Sequence, residues 1–263
     1  MFKYWKLFQT YWSAGLVYRA NLLMWRFRQL LLTLMALTIW QVLFANQSQL
    51  FGYAQSQMIS YVFLTSIIQS VVLATSLHGL AYEVYSGYLS LQLLKPQKIF
   101  VSLASVELAD KAKNLLFSLI EGLISLIIIK PAITLPSVDI LFIFLISVIL
   151  AALINFYICI LFGTIGFWSP EVWAPKFLFF MIVDFTAGRL FPLDILPTVV
   201  RQTLTFTPFP ALIFIPTQIF LNKYHGQELL LNLAIQGVWV ILLWFVSTRI
   251  WHRGIKGYEA TGS

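Results

Sequence analysis

The residues of this chain that could do chemistry are few and far apart. Glu121 and Asp184 lie inside long apolar stretches. An unpaired carboxylate there costs on the order of several kcal/mol unless it pairs or protonates. Two roles stay open for each: a polar patch or proton relay on a conduit, or a structural contact satisfied by backbone or a neighbouring helix. Neither has an intramembrane Lys, Arg or His beside it, which is thin support for proton coupling. Arg189 and Asp194 stand close together, and a pairing between them is one arrangement open to the chain. His78, His225 and His252 are scattered, and no His/Cys/Asp/Glu group has metal-ligand spacing. Cys159, the single cysteine, sits in an apolar run and reads as a packing residue. There is no Gly-x-x-x-x-Gly-Lys-Ser/Thr loop for nucleotide phosphates and no Gly-x-Ser-x-Gly elbow. The chemistry on offer is passage driven by something else, not turnover.

Composition names the medium in which those residues act. Of 263 residues, 60% are hydrophobic and 10% charged, against about 25% charged in soluble domains. Mean hydropathy is +0.85. Too few charges remain to cover a water-facing surface. The net charge of +7 would suggest nucleic acid for a soluble protein; here it reads as basic loops on one side of a membrane, with no nucleic-acid partner. No cleavable signal peptide is evident, because Gln9, Thr10 and Ser13 interrupt the segment after Lys3 and Lys6.

The elements that must position the polar residues are long apolar segments. Residues 2–18 repeat Trp5, Phe8, Trp12 and Leu16 at helical spacing, with Lys3, Lys6 and Gln9 opposite. That pattern suits a helix lying in the membrane interface, or else a basic flank. Residues 1–28 are taken as this elbow, and a first span follows to about Phe44. Further spans are expected at about Met58–Leu77, Leu115–Ile129, Ile140–Gly166, Lys176–Gly188 and Leu229–Thr248. The third is the end of a longer helix that starts near Phe100, carries Glu107, Asp110, Lys111 and Lys113 in its first turns and stops at Lys130-Pro131. Trp168-Ser169-Pro170-Glu171 opens a short interfacial turn. Between the last two spans, residues 189–222 are broken by Pro192, Pro197, Pro208, Pro210 and Pro216. Helical pieces at about 195–206 and 210–221 are too short to cross about 30 Å of hydrocarbon, so they read as half-helices that dip and return. The expectation is an all-α membrane protein: one permease domain over residues 1–263, with six transmembrane helices, an N-terminal interfacial helix and a re-entrant half-helix pair before the last span.

With both termini inside, the inner side holds Lys3, Lys6, Arg19, Arg26, Arg28, Lys95, Lys98, Lys111, Lys113, Lys176, Arg249, Arg253 and Lys256. The outer side holds Lys130, Arg189, Arg201 and Lys223. This bias sets the orientation.

The stretch 78–113 is then cytoplasmic. Glu83, Tyr85, Ser86, Gly87, Leu94, Lys95 and Pro96 mix a short amphipathic piece with a glycine and a helix-stopping proline. It is either an ordinary loop or a knob presented to a soluble partner.

Ser86-Gly87-Tyr88-Leu89 followed by Leu93-Leu94-Lys95-Pro96 resembles the segment between the second and third spans of ABC exporter permeases of the second type. Gly188-Arg189-Leu190-Phe191-Pro192-Leu193-Asp194-Ile195-Leu196-Pro197 and the later prolines are similar to that family's re-entrant outer segment, and Arg253–Ala260 to its usual ending. The resemblance implies a membrane-spanning permease subunit that forms the route, while two copies of a separate ABC ATPase subunit hold ATP and magnesium. This chain would then need no cofactor and be no enzyme itself. It implies a second permease subunit, identical or related, contact with membrane lipid, and a bacterial inner membrane. ATPase coupling would fall on Glu83, Tyr85, Ser86, Gly87, Leu94, Lys95 and Pro96; the gate candidates are Asp184, Arg189, Phe191, Pro192, Asp194 and Pro197. The alternatives from the residues alone are a proton-coupled secondary transporter using Asp184 and Glu121, or a non-transporting membrane assembly protein.

Overall fold

The structure, a computed structural model, describes residues 2–17, 19–130, 133, 135–169 and 171–258. In chain order the helices are α1 (Phe2–Val17), α2 (Arg19–Leu43), α3 (Gln55–Val72), α4 (Leu80–Tyr85), α5 (Tyr88–Leu93), α6 (Ile99–Ile129), α7 (Val138–Thr164), α8 (Trp173–Thr186), α9 (Thr198–Thr205), α10 (Phe214–Phe220) and α11 (Gly226–Lys256). A two-residue hairpin, β1 (Gln49–Leu50) with β2 (Tyr53–Ala54), joins α2 to α3.

Local chemistry sets several of these limits. Extended backbone at Ser137 and His225 opens α7 and α11, each with a carboxylate in its first turn, Asp139 and Glu228. Arg253 and Lys256 occupy the last turn of α11, where cations favour the helix dipole. Lys130 ends α6 in the left-handed region at φ 48°, and Pro131, the expected stop, lies outside the described residues. Pro170, Glu259 and Ala260 lie outside them too.

Helix α7 is apolar all round and so becomes the centre of the bundle. It packs against α11, α10, α4 and α3. Ala151, Ile154 and Ile158 of α7 meet Leu64 and Ile68 of α3, Val183 of α8, Leu212 and Ile215 around α10, and Leu243 of α11. Helix α6 packs instead against α1, α2 and α3. Outward faces carry exposed Leu, Ile and Phe along α2, α6, α7, α8 and α11, as lipid contact requires.

Among the described residues four helices are long and apolar enough to cross a membrane: α2, α6, α7 with its 3-10 extension to Phe167, and α11. A fifth candidate joins α3 to Leu77–Tyr85 across a 58° bend. The expected span at Lys176–Gly188 is α8, whose 14 residues extend only about 21 Å at about 1.5 Å per residue. Helix α1 ends at Val17 and α2 begins at Arg19, with Tyr18 outside the described residues; Arg19, Arg26 and Arg28, within the expected 1–28 elbow, lie in α2. Helix α3 stops at Val72, short of Leu77, because Thr75 and Ser76 turn to meet Glu107. The helical pieces expected at 195–206 and 210–221 shrink to α9 and α10, with turns around Pro208 and Pro210.

Candidate functional site

Two regions hold the residues singled out above. The first is the 80–96 segment. Gly87 takes φ +80°, a left-handed turn that costs glycine little, and it folds α5 back on α4. The side-chain amide of Gln92 donates to Glu83 Oε2 at 3.0 Å, clasping the two short helices. Ser90 Oγ donates to the Gly87 carbonyl at 2.7 Å. Leu80, Val84 and Leu89 are buried with Leu103, Ile160 and Trp251. Tyr258 donates its hydroxyl to the Val84 carbonyl at 2.9 Å, tying the end of the described chain to this knob. Partial burial raises the Glu83 carboxyl above its ordinary range, opposed by the Gln92 hydrogen bond.

The other side of the knob is bare. Tyr82, Tyr85, Tyr88, Leu91 and Leu94 are exposed, Leu94 to 82%. Ser86, Lys95 and Pro96 are exposed as well. Helix α1 reaches the far end: the Lys3 ammonium donates to the Pro96 carbonyl, and Tyr4 Oη accepts from the Lys98 amide at 3.1 Å. A cleft of about 80 Å³, lined by Tyr11, Ser76, Glu83, Gln92 and Lys95 among others, separates α1 from the knob.

The second region is the proline-rich segment before α11, expected above to lie on the outer side. Gly188 has φ +80°, and Tyr61 donates its hydroxyl to the Gly188 carbonyl. Arg189 and Asp194 do not pair with each other. Arg189 binds Asp184, 2.5 Å from Nη1 to Oδ1, while Asp194 accepts from Tyr53 at 2.6 Å. Gln218 Nε2 donates to the Tyr53 hydroxyl at 2.7 Å, and the Lys223 ammonium stands 3.8 Å from Asp194 Oδ2. That ammonium also sits over the Tyr53 ring, 3.0 Å from its centre. Burial lowers the Lys223 pKa and Asp194 opposes the shift; burial and the Asp194 hydrogen bond raise the Tyr53 hydroxyl. Pro192 and Leu193 are buried, Phe191 is half-buried, and Pro197 is exposed at the start of α9. The three charged gate candidates therefore fall in two clusters, an Asp184–Arg189 pair and an Asp194 hub, while Phe191, Pro192 and Pro197 lie along the chain beside them.

The second intramembrane carboxylate is also paired. Glu121 Oε1 lies 3.6 Å from Arg26 Nη1, and Arg26 donates to Ser70 Oγ at 3.2 Å. The expectation that Glu121 and Asp184 lack a basic neighbour fails for both, because each partner comes from outside the carboxylate's own apolar run. Among the described residues no three His, Cys, Asp or Glu come together as a metal-binding group.

Sequence reasoning missed Tyr53 and Gln218, which no local pattern marks. It also missed the role of Glu107, although a Glu–Lys pair at i,i+4 with Lys111 was visible.

A bundle of lipid-facing helices with paired internal charges defines an integral membrane protein. The chain belongs to the ABC-2 family of transporter proteins, whose model matches residues 30–262. It is thus a membrane permease subunit of an ABC transporter, a transport chain and not a catalytic one, and membership implies association with an ABC ATPase subunit. No curated protein matches the chain.

Proposed function

We propose that the chain is the membrane half of an exporter that spans the bacterial inner membrane six times, with both termini in the cytoplasm. In this reading α8 is the fifth crossing, shortened by the outer segment, and α1 lies in the inner interface. Residues 189–222 form the re-entrant outer pair. A second permease subunit completes the route, and two ATPase copies bind ATP and magnesium below it.

The observation that carries this reading is the bare face of the 80–96 knob. Tyr82, Tyr85, Leu91 and Leu94 are exposed on a piece whose inner side is anchored to α7 and α11 through Leu89 and Trp251. An apolar and aromatic patch beside the spans, on a rigid base, fits a protein partner that is absent when the chain stands alone. ATP-driven closure of the ATPase pair would push on this patch and move α4, α5 and, through the Pro96–Lys98 contacts, α1.

The test is co-purification and coupling. The full chain in mild detergent should retain an ATP-hydrolysing subunit. Leu94→Glu or Gly87→Glu should weaken that association or leave hydrolysis running without transport. A normally coupled complex carrying either change would remove the knob from the mechanism.

A further inference from the structure

Helix α3 ends inside the molecule, just above the coupling knob, and the chain bends there by 58°. A helix end leaves carbonyl groups without intrahelical partners, and at the edge of a membrane water cannot be relied on to satisfy them. One side chain takes on that work. The Lys111 ammonium donates to the carbonyls of Val71 at 3.1 Å, Val72 at 3.0 Å and Ala74 at 2.9 Å. Its charge also suits the negative end of the α3 dipole.

One turn earlier on α6, Glu107 holds the other side of the bend. Its Oε2 accepts from Thr75 Oγ1 at 2.9 Å, from the Ser76 amide at 3.1 Å and from Ser76 Oγ at 3.1 Å. Its Oε1 faces Lys111 Nζ at 3.1 Å. Glu107 is 3% exposed. One carboxylate oxygen thus takes three donors and the other an ion pair, and such charge-assisted bonds are the strong ones. The break between α3 and the knob is therefore clamped to α6 on both sides.

We propose that Glu107 and Lys111 form a latch that makes the 72–80 bend a rigid lever, so that movement of the coupling knob is delivered to α3 and α6 together. They are positioning residues: they touch neither cargo nor nucleotide. The functional half of this inference rests on reading 80–96 as the coupling knob; the mechanical half does not.

Two measurements separate the halves. The first is amide hydrogen exchange of the full chain in lipid nanodiscs, which needs no ATPase. Lys111→Met should speed exchange across residues 72–80 about tenfold, the size of one lost charge-assisted hydrogen bond, while α11 peptides stay as in wild type. Glu107→Gln, which keeps the side-chain volume, should speed the same window by a smaller factor. Unchanged exchange in both variants overturns the latch.

The second uses the complex with its ATPase. Spin labels at exposed Val101, on the knob-side end of α6 and outside the docking patch, and at exposed Val199 report the distance between that end of α6 and the segment before α11 with and without ATP and vanadate. Wild type should show a shift, and Lys111→Met should hydrolyse ATP yet lose it. Lys111→Arg, which can still cap carbonyls, should restore it. A full shift in Lys111→Met overturns transmission through the latch. If no ATPase binds, the coupling reading has failed, and exchange alone decides whether the bend is clamped.

Discussion

Tyr53 donates its hydroxyl proton to Asp194 Oδ2 at 2.6 Å across 141 residues of chain. This bond ties the β-hairpin after the first long helix to the outer segment before the last one. Gln218 and Lys223 complete the cluster from α10 and the turn after it. Removing the hydroxyl leaves a carboxylate oxygen and the Gln218 amide short of a partner. Tyr53→Phe should lower stability by about 2 kcal/mol, typical for a hydrogen bond to a charged group. Asp194→Asn should cost a similar amount, and the double variant should cost less than the two combined. Equilibrium unfolding in mixed micelles reads all three; strict additivity would mean the bond is energetically idle.

The Asp184–Arg189 pair is partly screened, each side chain being 24% exposed. Removing either partner strands the other near apolar surface. Asp184→Ala and Arg189→Ala should each destabilise by about 2 kcal/mol, and the double variant by less than the worse single one. If the pair is instead used in transport, the double variant will be stable and inactive. Parallel unfolding and transport assays separate these outcomes.

Gly166 lies where the end of α7 meets α4. A Cβ at this position would stand 2.1 Å from the Ala81 carbonyl oxygen and 2.8 Å from its carbon. Backbone cannot swing aside as a side chain does, so Gly166→Ala should cost about 3 kcal/mol and loosen the knob. Gly87→Ala meets a different obstacle, its φ of +80°, and should cost about 1 kcal/mol. Increased protease cleavage within 80–96 should accompany the first change more than the second.

Burial raises the Glu83 carboxyl above its ordinary value of 4.5, and the Gln92 bond only partly offsets this. In the window above 4.5 the folded chain binds more protons than the unfolded one, so this group's contribution to stability is present at low pH. It is lost as pH rises through the folded value. Glu83→Gln removes that slope. The melting temperatures of wild type and variant should converge on acidification and separate toward neutral pH, with the variant the more stable. A difference that does not change with pH would contradict this.

Much of the scaffold was legible because membrane insertion reads composition directly. Long apolar runs placed α6 and α7 to within a few residues, whereas α2 begins at Arg19, inside the expected elbow, and α11 runs past the expected Thr248 to Lys256; Gly87 and Pro96 marked the turns that bound α5. The outer segment was legible only as a pattern of prolines. Its helices came out shorter than expected, because Pro208 and Pro210 stop α9 and delay α10 until Phe214. Helix α8 falls where a short span was expected, at about 176–188, and it ends at Thr186 before the left-handed Gly188.

The sequence alone determined the medium and the long helices, since these follow from counts and from local periodicity. Tertiary structure decided the charge contacts that local helix spacing does not set. Arg189 took Asp184 and not Asp194, Arg26 reached Glu121 from another helix, and Lys111 capped α3. In a low-dielectric interior each buried charge must find a partner. Which partner it finds depends on helix rotation and crossing, and residues far apart in sequence fix those together.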